Sequence, residues 1–159
     1  MAQRMPVPAD VVTLKVLDRV DYEDAFAAQT PASRTAEQWA RLCLEVDPPQ
    51  MWRIARLVLA AFGRREAQTG SPGIAGMQIL RNDPENIVLG FTVAIGTPRI
   101  VFSARSGQVV MSTLMRFDGR AGRITWAVFG GLHRVTARAL VDRAVKADAR
   151  ESTGPNRKR

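Results

Sequence analysis

The chain has 159 residues, 46% of them hydrophobic and 24% charged, with 23 Lys+Arg against 15 Asp+Glu, one Cys, one His and 12 Gly. At ~100–200 residues per domain this predicts one domain, and its apolar content excludes disorder over most of the chain. Cys43 alone excludes a disulfide scaffold, the apolar runs fall short of the ~18 residues a membrane span needs, and no recognition-helix, zinc-finger or ribonucleoprotein motif accompanies the +8 charge.

Residues 1–10 read as a flexible arm without the apolar core of a signal peptide, so the expected address is the cytoplasm. Val11–Val20, rich in β-branched residues, predicts an opening strand. Asp21-Tyr22-Glu23-Asp24-Ala25-Phe26 reads as a solvated polar corner. Thr35 and Gln38 have the spacing of a capping box, so a helix should start at Thr35. Trp39, Leu42, Cys43 and Val46 follow at helical spacing, and Asp47-Pro48-Pro49 stops the helix. A second helix is expected over 49–62, capped by Gly63, and then a loop over 66–73.

From Ile74 the hydrophobic period changes to two. Five strands are predicted, over 74–82, 86–95, 98–105, 108–117 and 123–130, joined by short turns and therefore antiparallel. One face would carry Met77, Ile79, Leu89, Phe91, Val93, Ile100, Phe102, Val109, Met111, Met115, Phe117, Ile124, Trp126 and Val128. The opposite face carries Gln78, Thr92, Arg99, Ser103, Arg105, Ser112, Arg116, Arg123 and Thr125. A sheet with a single covered side follows. After Gly130-Gly131, a helix over Leu132–Asp148 would lay Leu132, Val135, Ala139, Leu140 and Ala144 on the sheet. Residues 149–159 are read as a disordered basic tail.

Grouped helices beside antiparallel strands make the class α+β. The order predicts a curved sheet of about six strands wrapped on a long C-terminal helix, with two short helices after the first strand. A sheet too curved to touch its helix everywhere encloses a cavity. The expected lining is Met77, Phe91, Phe102, Met111, Met115 and Trp126, and the expected size is ~300–1,000 Å³.

That order resembles the helix-grip domains of the START/Bet v 1/polyketide-cyclase superfamily (SRPBCC). More closely, the chain resembles the bacterial family known as domain of unknown function 2867. The segments that carry this are Asp21-Tyr22, Asp24-Ala25-Phe26, Glu37-Gln38-Trp39-Ala40-Arg41, the stretch Arg56–Gly63 and Gly131-Leu132-His133-Arg134. The resemblance spans roughly residues 12–145. It implies a small-molecule cavity domain and supplies neither substrate nor catalytic residue.

His133, the sole imidazole, is the one conventional acid–base group; Tyr22 and Asp24 are the other catalytic candidates. A Ser-His-Asp set can be drawn on paper from Ser103 or Ser112, His133 and Asp142, without a Gly-x-Ser-x-Gly elbow. No cofactor motif appears: the glycines of 70–76 match neither the dinucleotide nor the phosphate-loop pattern, and one His with one Cys argues against a metal centre. Asp83 and Glu85 flank Pro84 as turn residues, and Cys43 reads as a buried spectator.

Three functions remain. The first is non-covalent binding of an apolar or amphipathic small molecule between sheet and C-terminal helix. The second is a cyclase- or dehydratase-like enzyme on the same scaffold. The third is an interaction module using the face that Arg99, Arg105, Arg116 and Arg123 would share, which also allows a homodimer.

Overall fold

A computed structural model describes residues 1–46 and 73–153. The helix expected over 49–62 and most of the loop over 66–73 lie outside the described residues. Seven antiparallel strands form one curved sheet in the order β1-β2-β7-β6-β5-β4-β3. They are β1 (Gln3–Met5), β2 (Tyr22–Gln29), β3 (Gly73–Ile74), β4 (Met77–Asn82), β5 (Asn86–Gly90), β6 (Gly96–Arg105) and β7 (Gln108–Phe117). The helices are α1 (Ala9–Thr13), α2 (Ala36–Leu44) and α3 (Gly119–Thr153). The architecture is α+β and helix-grip-like, as the order of elements predicted.

The capping box is present at α2. Thr35 Oγ1 accepts from Gln38 N at 3.3 Å, and Gln38 Oε1 accepts from Thr35 N at 3.0 Å. Trp39, Ala40, Cys43 and Leu44 are then buried against the inner sheet face. Burial pushes the Cys43 thiol far above its ordinary pKa, which suits a packing role. Asp83 holds the β4–β5 turn by accepting from Glu85 N and Asn86 N. The turn before β7 falls where alternation stops, but the strand expected over 74–82 is broken by a turn at Ala75-Gly76, and the one expected over 86–95 ends at Gly90, so that β6 begins at Gly96, inside the expected turn.

Several expectations are corrected. Val11–Val20 is not a strand: Pro8 precedes α1, and Val11 is buried on the outer sheet face. The supposed polar corner is β2, whose inner side chains include Phe26, Ala28 and Asp24. Residues 123–130 are helical, inside α3. There Ile124 and Val128 lie exposed one turn apart, while Trp126 and Phe129 face the sheet. Val135 likewise points outward, and α3 buries Ala137, Leu140, Val141 and Ala144 instead. Within the stretch read as an arm, β1 pairs with β2 and the Ala2 amide donates to Asp142 on α3. Helix α3 continues to Thr153, into the stretch read as tail; residues 154–159 lie outside the described residues.

Both sheet faces are covered, not one. On the outer face Val88, Val101 and Leu114 pack with Val11, Leu14, Val16 and Leu17. Ala25, Ala27 and Val110 pack with Met5 and Val7. The inner face carries the main core, including Phe26, Ile87, Leu89, Phe102 and Met111. No helix among the described residues is long and apolar enough to cross a membrane.

The first turn of α3 sits close to the connection before β6. Asp118 N donates to Ile95 O at 3.1 Å, and a Cβ on Gly122 would lie 2.2 Å from that same oxygen. A Cβ on Gly131 would meet nothing within 4 Å. Two glycines of one helix therefore give opposite expectations. Gly122→Ala should destabilise the protein by roughly 2 kcal/mol or more, because backbone must move. Gly131→Ala should stabilise it by about 0.5–1 kcal/mol through helix propensity. Urea unfolding of the two variants checks both signs. Thr35→Ala, which removes the cap, should cost about 1 kcal/mol in the same assay.

Candidate functional site: an apolar cavity backed by a buried aspartate

The C-terminal half of α3 packs on the inner sheet face, whereas its middle stands off it. The gap is a cavity of about 110 Å³ open to the surface. Phe91, Pro98 and Ile100 line it from the β5–β6 side, and Met111, Thr113 and Met115 from β7. Trp126, Phe129, Leu132, His133, Thr136, Ala137 and Leu140 line it from α3. The volume is below the expected drug-sized range. Cavities of roughly 150 Å³ take up benzene, so the scale is that of a single ring.

Of the six residues expected to line the cavity, Phe91, Met111, Met115 and Trp126 do so. Met77 and Phe102 belong to the packed core, where α2 and Leu140 fill the space. Thr113 was missed because it is polar, although the alternation Val109, Met111, Thr113, Met115 places it on the inner face. Phe129 was missed because 123–130 was expected to be a strand, whereas Leu132 lies toward the sheet as expected and also lines the cavity.

His133 is the one ionisable side chain among the described residues lining the cavity. Behind it lies Asp24, whose side chain is fully buried. His133 Nε2 stands 3.4 Å from both Asp24 carboxylate oxygens, and Tyr22 donates its hydroxyl to Asp24 Oδ2 at 2.5 Å. The three catalytic candidates named from sequence thus form one hydrogen-bonded cluster. Strand pairing explains it: Tyr22 and Asp24 alternate onto the inner face of β2, opposite Met115 and Thr113 of β7. Aromatic rings meet around them, Tyr22 edge-on to Trp126 with centroids 4.7 Å apart and Trp126 tilted against His133 at 5.0 Å.

Burial opposes ionisation of Asp24. The partners outweigh it: His133, by hydrogen bond and charge, and the Tyr22 and Thr113 hydroxyls hold its carboxyl below the usual pKa. Tyr22 moves the other way. Burial, its hydrogen bond to Asp24 and the Asp24 charge push its phenol up to about 12, against a smaller opposing effect of Arg134. A carboxylate at Nε2 keeps the proton of a neutral His133 on that nitrogen and leaves the lone pair on Nδ1.

The paper triad does not assemble. Ser103 Oγ donates to Asn86, Ser112 lies on the outer face, and Asp142 is held by the Ala2 amide and Arg138. The Arg set is also not an open face. Arg105 pairs with Asp10, Arg116 with Asp18 at 3.1 Å, and Arg123, on α3 and not on a strand, faces Asp21 at 3.7 Å. Arg99 is half-buried and donates to the carbonyls of Phe91 and Pro98. No group of three or more metal-ligating side chains occurs among the described residues.

No family model matches the chain, and no curated protein matches it in sequence. Two solved structures are distantly similar in shape. The solution NMR structure of a protein from Arthrobacter aurescens is 10% identical at a TM-score of 0.37, over 82% of this chain and 93% of that one. The crystal structure of CalU16 from Micromonospora echinospora is 9% identical at a TM-score of 0.31, over 95% and 92% of the two chains.

Tyr22 is the only tyrosine in the chain, so phenolate absorbance reports it alone. Its titration should centre near pH 12, not near 10, and Asp24→Asn should move it down. The neutral phenol contributes stability that is present below pH 10 and lost as pH rises through about 12. Asp24 has the opposite sign: its depressed pKa gives stability at neutral pH that is lost as pH falls through its folded value. The acid limb of the unfolding free energy against pH should therefore flatten in Asp24→Asn.

Proposed function

We propose that the protein binds a small, apolar, ring-sized molecule in the cavity between the inner sheet face and α3. What supports this most is the wall itself: Phe91, Ile100, Met111, Met115, Trp126 and Phe129 surround a space their packing does not fill. A bound apolar group would remove this apolar lining from water and supply the contacts that the wall lacks. The two methionines give the wall three-bond flexibility, so the space can enlarge around a ligand bigger than one ring. The likeness in element order to START and Bet v 1 domains adds to this reading. An open Arg-rich docking face has less support, because its guanidinium groups already have partners within the chain.

Titration with toluene, followed by carbon-13 NMR of the methionine methyl groups, tests the proposal. Met111 and Met115 should shift with a common saturation curve, while Met77 should move far less. Ala137→Leu, which places a larger side chain in the cavity wall, should abolish the shifts. A linear, non-saturating response at all methyl groups would show that the cavity takes no such ligand.

A further inference from the structure

We propose that His133, oriented by Asp24, is a general base acting on the molecule held in this cavity, and that its substrates are apolar carbonyl compounds with an acidic C–H. The inference deepens the binding proposal and rests on it. Three observations carry it. His133 is the sole ionisable side chain among the described residues of an otherwise apolar wall. Its Nε2 lies 3.4 Å from both oxygens of a carboxylate that has no solvent exposure. That carboxylate is itself fixed, by the Tyr22 hydroxyl from the same strand. A histidine needed only for packing has no use for a buried carboxylate behind it, since burying that charge costs energy unless it is paired.

The chemistry follows from the pairing. With its proton held on Nε2, His133 can accept a second proton at Nδ1, and Asp24 stabilises the imidazolium that results. An imidazole removes a proton from carbon only where a neighbouring group accepts the electrons, and in an apolar cavity that group must be neutral, as a carbonyl is. The C–H electron pair passes to the carbonyl oxygen as an enolate. The imidazolium then returns its proton to the same carbon or to a conjugated one, so nothing is oxidised or reduced. The charged and titratable groups around His133 are Asp24 and Tyr22 from β2, and Arg134 on its own helix, which reaches Tyr22. From β7 the uncharged Thr113 and Met115 stand opposite Asp24 and Tyr22. Asp24 is a positioning residue, and His133 is the group that meets substrate.

The test uses the full chain and 5-nitrobenzisoxazole, a flat apolar probe of bases. A base takes the ring C–H proton, the N–O bond breaks, and the products are a nitrile-bearing nitrophenolate and the protonated base, which returns its proton to solvent. Wild-type protein should release the coloured phenolate ~10²–10⁴-fold faster than an equal concentration of free imidazole, with a rate that falls as acid protonates the base. His133→Ala, or His133→Gln should the first not fold, should return the rate to that of buffer. Asp24→Asn should lower the rate ~10–100-fold and move the midpoint of its pH profile, a shift that a purely structural role would not produce. Tyr22→Phe, which leaves the Asp24–His133 pair in place, should move that midpoint less and serves if Asp24→Asn does not fold. The toluene-induced shifts of Met111 and Met115 should persist in every folded variant. A wild-type rate equal to buffer with the toluene shifts intact overturns the base assignment and leaves binding standing. The same holds for a His133→Ala rate equal to wild type. Absence of the toluene shifts in wild type overturns both.

Discussion

A stiff rod laid on a curved sheet is the constraint from which the cavity follows. Helix α3 has 35 residues, about 50 Å at 1.5 Å per residue, whereas the ten-residue strands β6 and β7 span about 33 Å. The rod is fastened at both ends. At its start, Gly119 takes a left-handed turn and Gly122 approaches the Ile95 carbonyl too closely for any side chain. Toward its end, Leu140, Val141 and Ala144 enter the core with α2, and Arg34 clamps Asp148 at 2.5 Å. Between those points the helix and the inner sheet face leave the cavity open. The gap opens at Trp126–Ala137, and small changes in sheet curvature would alter its volume more than its location.

Asp24 gains its meaning from topology. Strand β2, early in the chain, lies beside β7, the last strand, so Tyr22 and Asp24 on its inner face meet His133 of α3. A carboxylate there would be costly alone. Tyr22 and His133 supply partners from its own strand and from the helix, and Thr113 stands opposite it on the next strand, so the charge ties β2 to the C-terminal part of the chain. The Tyr22–Asp24 hydrogen bond contributes to both shifts, behind burial in raising the phenol and behind His133 in lowering the carboxyl.

The capping box, the turn at Asp83 and the span of β7 were legible in the sequence, because each rests on chemistry within a few residues. Other elements were not, two of them at the site. In residues 123–130, Ile124, Trp126 and Val128 alternate as a strand would, and Gly130-Gly131 resembles a break. The helical series Trp126, Phe129, His133, Ala137, Leu140 and Ala144 was equally present, and packing against the sheet decided between the two periods. Strand β2 was hidden because Asp21, Glu23 and Asp24 suggest solvent, while Ala25, Ala27 and Ala28 lack the branched side chains that mark strands. The candidates His133, Tyr22 and Asp24 could be named from their chemistry, yet their meeting in space depends on the β2–β7 pairing, which no local pattern announces.

The charge asymmetry of the chain has an internal explanation. Residues 1–47 carry 5 basic and 8 acidic residues, whereas 48–149 carry 14 basic and 6 acidic. The N-terminal carboxylates meet the later arginines across the fold: Asp10 with Arg105, Asp18 with Arg116, Asp21 with Arg123. Such exposed pairs stabilise by at most about 1 kcal/mol each, so they do not hold the fold together. Their effect is to position. They seat Val11, Leu14, Val16 and Leu17 over Val88, Val101 and Leu114, and so close the outer face with the chain's own N-terminal segment. An outer face occupied in this way has little left to offer a partner. An apolar recess that packing leaves unfilled lies on the other side of the sheet, beneath α3, where the one histidine and the one tyrosine also stand.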